Sequence, residues 1–490
     1  MEYFRYYQAL FRTMREISFI ILLILLNLSV SSQSKVHGSI IDLHHDLKLS
    51  IAQGLKYLDN TQRKETILGS SFKGEWPTYM CLERSFFYLG SKKDIDDSNC
   101  FSVASTHNSL ANIYLAFPEY DIIPNMLDLS FEKIMTYKNG NKFNFWNLLS
   151  PNRKLKKDDI ISEQGLVRRP TNYNLKSKYI NNAANIAEDA DDTALGYSAI
   201  ALRGKYKKDS SFTKSSISPI FEEYRDVNRN NRHWYNYING NDHETGAYLT
   251  WLTTEYQFKN WNIIKVIGHN ATFFLPFSEC YPHAYKPYLP YGSNDLDGVV
   301  NANILSTLAF FDELNSEGVE QAIKFIEKKS KREKYDKVGI YYPNRYHFPY
   351  SVCKAYYNGV DKLESSIDYL SCYLKDKQNE DGSWSAKRSL NRKDKLQSTA
   401  YALSSLIYVG RYEELGTIKP IENAIDYLFR NSINNEQGTH WEGGVFFSGG
   451  TVIRNILTWK SDAYTTGIIL EAFAHYRKHL EEKNSDLVNL

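Results

Sequence analysis

Two kinds of helix take turns along this chain, and that alternation limits its fold more than any other feature. One kind is amphipathic with a charged face: LKLSIAQGLKYLDN at 47–60, VEQAIKFIEKKSK at 319–331, DKLESSIDYLSCYLKDKQ at 361–378 and IENAIDYLFRNS at 421–432. The other is rich in Ala, Ser, Thr and Leu, with few charges past its first turn: FSVASTHNSLANIYLAF at 101–117, DADDTALGYSAIAL at 189–202, GVVNANILSTLAFF at 298–311, LQSTAYALSSLIYVG at 396–410 and DAYTTGIILEAFAHY at 462–476. A helix apolar nearly all round belongs inside, and a helix with one charged face lies between core and water. The expectation is an all-α fold, a single α/α toroid of about six inner and about six outer helices over residues 40–480. TGAYLTWL at 245–252 and PYSVCKAYY at 349–357 are expected to complete the inner ring, and the polar stretches near 150–180 and 205–240 read as insertions.

The first residues read as an address. Arg12 and Arg15 precede an apolar run from Ile17 to Leu26, and small and polar residues follow to Gln33. A basic start, a short apolar stretch and a small-residue exit make a secretory signal peptide, here residues 1–33 with cleavage near Ser32 and Met14 as an alternative start. Export to the periplasm or the outside is the expected localisation. An uncleaved signal-anchor is the alternative, although the run is shorter than the roughly 20 residues that span a bilayer. The formal charge of +2 gives no bias toward nucleic acid. Five cysteines, at 81, 100, 280, 353 and 372, form no CxxC pair and no zinc spacing, and leave room for one disulfide.

The chemistry-bearing run is Asp189-Ala190-Asp191-Asp192, at the head of one small-residue helix. Three carboxylates this close, if dry, cannot all ionise without penalty, so at least one tends to keep its proton. A neutral carboxylic acid near pH 7 is a general acid. On a helix, Asp189, Asp192 and Thr193 share a face, while Asp191 points about 100° away from Asp192. The bland reading is that these acids favour a helix N-terminus. The same DxDD pattern recurs at Asp94-Ile95-Asp96-Asp97 without a helical context, so the pattern alone carries little.

A second motif is Gln378-Asn-Glu-Asp-Gly382-Ser-Trp384, which follows an amphipathic helix. Gly382 suits the left-handed turn that ends the helix, Trp384 can fold back, and Gln378 can reach helix-end carbonyls. This resembles the QW repeat of squalene–hopene cyclases and their relatives, and the loops at Gly74-Glu75-Trp76 and His440-Trp441-Glu442-Gly443 are similar to degenerate copies. Asp189-Ala190-Asp191-Asp192-Thr193-Ala194 likewise resembles the acid motif of squalene–hopene and class II terpene cyclases, which protonates a carbon–carbon double bond or an epoxide. The resemblance implies that Asp191 is the proton donor, that Asp189 and Asp192 tune and orient it, and that the chain is terpenoid cyclase-like with an isoprenoid substrate. It implies no bound cofactor, though a diphosphate substrate would bring Mg2+.

Other polar clusters open further inner helices: Thr106-His107-Asn108, Asp242-His243-Glu244-Thr245, Asn294-Asp295-Leu296-Asp297, Gln397-Ser398-Thr399 and Ser461-Asp462-Ala463-Tyr464. Capping accounts for most Ser, Thr, Asp and Asn at such positions. It does not account for His107, His243, Glu244 and Asp297, which with Thr193, Asn301, Trp234 and Tyr464 form the expected substrate-binding set. Asp295, Asp297 and Asn301 could ligate a hard cation, but no calcium loop surrounds them, and no metal is expected. His283 is read as structural. Two further readings stay open: an exported carbohydrate-active hydrolase or lyase pairing Asp191 with Glu244 or Asp297 on a glycan, and a non-catalytic binding toroid. Peripheral contact with a membrane is compatible with an isoprenoid ligand.

Overall fold

The computed structural model describes residues 40–67, 70–83, 85, 91–151, 165–172, 186–229, 244–253, 294–386, 394–449 and 456–488. The expected signal peptide, His243, Trp234 and His283 lie outside the described residues. The described chain forms two compact units, one of residues 40–49 with 479–488, the other Ser50–Lys478. In the small unit His44 Nε2 meets Glu481 Oε1 at 2.7 Å.

The larger unit is a double ring of helices. Its inner members among the described residues are α2 (Cys100–Ala116), α4 (Ala190–Lys207), α5 (Gly298–Phe310), α7 (His347–Tyr357), α9 (Asp394–Val409) and the start of α11 (Asp462–Val488). Each packs on the next in chain order from α2 to α9. The ring closes through α11: Tyr464 Oη meets Tyr401 Oη of α9 at 2.8 Å, and Glu471 accepts from Ser109 and Asn112 of α2 at 2.7 and 2.6 Å. Alternating with them in sequence are the outer helices α1 (Ile40–Thr61), which precedes α2, then α3 (Ile123–Met135), α6 (Val319–Ser330), α8 (Glu364–Lys377) and α10 (Ile418–Arg430), with a five-residue turn of helix, Ser218–Glu222, in the remaining place. The inner helices are small-residue helices because their neighbours stand on both sides and in front. The outer ones keep one apolar stripe inward, as in α10, where Ile421, Ala424, Ile425 and Leu428 are fully buried.

Outer helices are laced together by one repeated clasp. Trp384 Nε1 donates to Leu374 O of α8 at 2.8 Å, and Gln378 Nε2 donates to Gly382 O at 2.9 Å and to Pro420 O of α10 at 2.8 Å. At the end of α1, Trp76 Nε1 donates to Leu58 O at 2.8 Å, and Gln62 Nε2 reaches Gly74 O at 3.2 Å and Met126 O of α3 at 2.9 Å. Gly74 and Gly382 have φ of +90° and +89°, and a Cβ on either would strike a backbone carbonyl of the next outer helix. The helix-end carbonyl is therefore taken by the tryptophan, while the glutamine bonds the neighbouring helix instead. Trp441 repeats the indole bond to Leu428 O at 2.8 Å.

Two expectations are corrected. The fold is mostly helical rather than all-α: a four-stranded antiparallel sheet, order β2-β1-β4-β3, joins β1 (Thr78–Leu82), β2 (Lys93–Asp97), β3 (Val445–Ser448) and β4 (Leu457–Lys460). These strands belong to the loops that lead into α2 and α11. The second DxDD, Asp94–Asp97, is part of β2. The segment 245–252 is extended rather than an inner helix. It bridges Asp189 through Trp251 and Arg225 through Tyr248. Two asparagines fix it: Asn301 and Asn294 each accept from and donate to the backbone of one residue, Tyr248 and Trp251 respectively, at 2.7–3.0 Å.

Candidate active site

The acid run is placed by a helix cap. Asp189 has extended backbone, φ −118° and ψ 159°, and its Oδ1 accepts from Asp192 N at 2.8 Å. This starts α4 at Ala190 and turns Asp191 toward the neighbouring inner helix. Asn303 of α5 donates from Nδ2 to Asp191 Oδ1 at 2.7 Å, and Tyr342, in the loop before α7, donates its hydroxyl to Asp191 Oδ2. Asp191 is 4% exposed.

Burial dominates the electrostatics. It lifts the Asp191 carboxyl to about 6, against the two hydrogen bonds that favour its charged form. Asp189 is lifted to about 7, first by burial and then by Asp191, against its hydrogen bonds from Asp192; Asp192 is lifted well above the usual carboxylate range by burial and then by Asp189 and Asp191. Crowding of like charges is thus secondary to exclusion of water. On α5, Asp297 caps the helix by accepting from Val299 N at 2.8 Å and is raised to about 7, by burial and then by Asp295. Asp295, which accepts from Thr250 Oγ1 at 2.5 Å, is raised to about 6 by burial.

Aromatic rings surround the mouth. Phe101 stacks on Phe446 with centroids 5.4 Å apart, and Phe446 lies 4.7 Å from Tyr464. Tyr342 meets His347 edge-on at 4.6 Å, and His347 stacks on Tyr401 at 4.5 Å. Inside the ring runs a cavity of about 540 Å3, counting the part open to solvent. Its wall is one stripe from each of several inner helices, at three- and four-residue spacing: Phe101, Ser105, Asn108 and Asn112 on α2, Leu195, Ser198 and Leu202 on α4, Asn303, Ser306 and Phe310 on α5, and His347, Ser351 and Lys354 on α7. Lys354 lies 3.3 Å from the fully buried Glu471, whose carboxyl is held below its usual range by that cation and its hydrogen bonds, against burial.

The expected site residues divide. Asp191 and Tyr464 converge on the mouth. Asp189 and Asp297 are there as caps. Thr193 faces the loop behind α4 and accepts from Phe143 N at 3.0 Å, a bond repeated by Thr399 to Trp384 and Thr466 to Trp441. His107 turns outward to Ser130 of α3 at 2.8 Å and stays neutral, since burial lowers its pKa to about 3. Asn301 is spent on the Tyr248 backbone, and Glu244 is exposed. Asn303 and Phe101 were missed, whereas Tyr342, His347 and Phe446 lie in aromatic clusters that the sequence shows without their partners. Asn303 was accessible through its spacing with Ser306 and Phe310, the inner stripe of α5. Among the described residues no group of three or more His, Cys, Asp or Glu could hold a metal ion, and no helix is long and apolar enough to cross a membrane. Cys81, Cys100, Cys353 and Cys372 are free thiols.

No protein-family model and no curated protein matches the chain. Among solved structures it is similar to an aspartate-to-alanine variant of the type II terpene cyclase MstE from Scytonema in complex with merosterolic acid A, its product. That match has 11% identity, covers 89% of this chain and 98% of that one, and has a TM-score of 0.50. A cellobiose 2-epimerase from Spirochaeta thermophila matches at 11% identity over 91% and 99% of the two chains, with a TM-score of 0.46. The fold is a terpene cyclase-like α/α toroid.

Proposed function

We propose that the chain is a cyclase that starts the reaction of an isoprenoid by protonation, with Asp191 as the acid. The observation that carries this reading is the buried Asp191 carboxyl, raised to about 6 and held by Asn303 and Tyr342. Burial keeps the proton on Asp191 up to about pH 6. Asn303 and Tyr342 stabilise the carboxylate left behind, so the acid gives its proton up more readily than burial alone would allow. The faces of Phe101, Phe446 and Tyr464 offer ring quadrupoles to the cation that forms. The MstE structure of the same fold holds a terpenoid product, merosterolic acid A.

The test is incubation of the purified chain with geranylgeranyl diphosphate, squalene and cello-oligosaccharides, followed by mass spectrometry of extracts. Cyclic products from an isoprenoid are expected with the wild type and not with Asp191→Asn. Isoprenoid products that persist in Asp191→Asn, or conversion of the oligosaccharides alone, would sink the proposal.

A further inference from the structure

The cavity is a blind channel, and its open end is the one away from Asp191. Its wall descends the inner helices from their first turn, at Phe101, His347 and Tyr464, to their last, at Asn112, Phe310 and Asn358. At about 1.5 Å of rise per residue, the wall from Phe101 to Asn112 is about 16 Å long. The upper end is shut: Phe101, Tyr342, His347, Phe446 and Tyr464 are buried, none more than 3% exposed. Below them Ser105, Leu195 and Asn303 stand at one level, in the second turn of α2, α4 and α5, and all three are half-buried rather than buried. Asn112, Phe310, Lys354 and Asn358 at the lower end are half-buried as well. Among the described residues, solvent therefore reaches Ser105, Leu195 and Asn303 from the C-terminal ends of the inner helices. Asn303 bonds Asp191, so the channel stops one side chain short of the acid.

The lower rim has its own chemistry. Lys354 Nζ lies 3.3 Å from Glu471 Oε1 and 3.4 Å from Tyr350 Oη, long contacts that leave the ammonium able to donate again. Asn112 Nδ2 donates to Glu471 Oε1 at 2.6 Å and Asn358 Nδ2 to Ser306 Oγ at 2.7 Å, which leaves both amide oxygens as acceptors. The charges balance: Glu471 offsets Lys354, and Asp312 offsets Lys205, whose ammonium lies over the Phe310 ring. Helix C-termini carry partial negative charge, which disfavours an anion there. A hydroxyl accepts from Lys354 and donates to an amide oxygen, whereas a diphosphate would have to strip Lys354 from the buried Glu471.

Building on the cyclase reading, we infer that the substrate is a linear isoprenoid alcohol that enters by this rim and lies along the ring axis, its hydroxyl at Lys354 and its far end at Asn303. The chain end then rests beside Phe101 and Tyr464, and a turn of the Asn303 side chain brings it against Asp191.

The experiment is thiol accessibility in the full-length chain. Cys280 and Cys372 are replaced by Ser, and Ser105→Cys sets a thiol partway along the channel. A small charged methanethiosulfonate is expected to label it, and farnesol or geranylgeraniol at about ten times its Kd to slow labelling about tenfold. Ser306→Trp and Asn358→Trp, at the rim, are each expected to slow both labelling and Asp191-dependent turnover about tenfold or more, since a close-packed wall has no room for the indole. Either one that folds suffices for the test. Each alcohol is expected to protect the thiol at about tenfold lower concentration than its diphosphate with Mg2+, equivalent to one hydrogen bond. Turnover and labelling that a folded tryptophan variant leaves unchanged overturn the route and spare the cyclase reading. Better protection by the diphosphate overturns the alcohol. Absence of Asp191-dependent turnover overturns the cyclase reading, while the labelling pattern still decides the route.

Discussion

Asn303 Nδ2 and Asp191 Oδ1, from neighbouring inner helices, share a 2.7 Å hydrogen bond that strengthens the acid against the effect of burial. The amide favours the carboxylate, so its removal raises the Asp191 pKa above its value of about 6. Wild-type turnover is expected to fall about tenfold per unit as pH rises past that value. In Asn303→Leu the falling limb should move to higher pH while the plateau at low pH drops, because a weaker acid protonates more slowly. A pH–rate profile of both proteins measures the two effects, and a limb that moves to lower pH contradicts the assignment.

Burial of Asp191 has a stability signature of definite sign. Its pKa is raised on folding, so between the unfolded value of about 3.8 and the folded value of about 6 the native state binds more protons. The favourable contribution is complete below pH 4, is lost as pH rises to about 6, and stays lost above that. Two pH units correspond to about 3 kcal/mol at most. Asp191→Asn removes this slope, so relative to wild type it should gain stability between pH 4 and pH 8, by up to that amount. Urea melts of the pair at both pH values test this. Equal differences at pH 4 and pH 8 would mean that the carboxyl is not buried.

The indole of Trp384 fills the clasp between α8 and α10 and is fully buried. Trp384→Ala should destabilise the chain by about 3–5 kcal/mol through the cavity it leaves. Trp384→Phe should cost less, chiefly by leaving Leu374 O without its donor. Neither side chain approaches Asp191, so below the melting transition any Asp191-dependent activity should match wild type. Chemical denaturation and turnover at low temperature separate the two effects.

Lys354 and Glu471 form an ion pair on the cavity wall, with Glu471 fully buried. Removing one partner strands the other charge, and Glu471→Gln should cost about 3–5 kcal/mol. Because the Glu471 pKa is depressed on folding, its contribution is present above the unfolded value and disappears as pH falls through the folded one. The double variant Lys354→Met with Glu471→Leu should recover most of the loss. A double-mutant cycle at pH 7 gives the coupling directly, and additive losses would show that the pair does not interact.

Helix type was legible because the two rings demand different compositions. The small-residue stretches at 101–117, 189–202, 298–311, 396–410 and 462–476 all fall in inner helices. TGAYLTWL failed because its apolar residues are buried as an extended strip, held by Asn301 of α5 and by Asn294 just before that helix, 53 and 43 residues further along the chain. The strands escaped notice because they are four or five residues long, and β1, β3 and β4 are mostly buried on both faces, which erases the alternation that marks a strand. At the site, Asp191 stood out by its setting in sequence. Its partners did not: Tyr342 and Asn303 lie more than a hundred residues further along, and only the closed ring shows that they meet it.

The seam between α2 and α11 has a consequence for how the molecule comes into being. Ser109 and Glu471 are 362 residues apart, and their bond is among those that turn an arc of helices into a closed circle. Contacts so distant in sequence form late, since the loop they close carries a large entropy penalty. During synthesis the acid helix α4 is made long before the last wall exists. A nascent chain that has not yet released α11 holds Asp191 in an open trough accessible to water, and without a dry site it has no means of keeping the proton there. Competence for chemistry therefore arrives in one step, when the final inner helix docks.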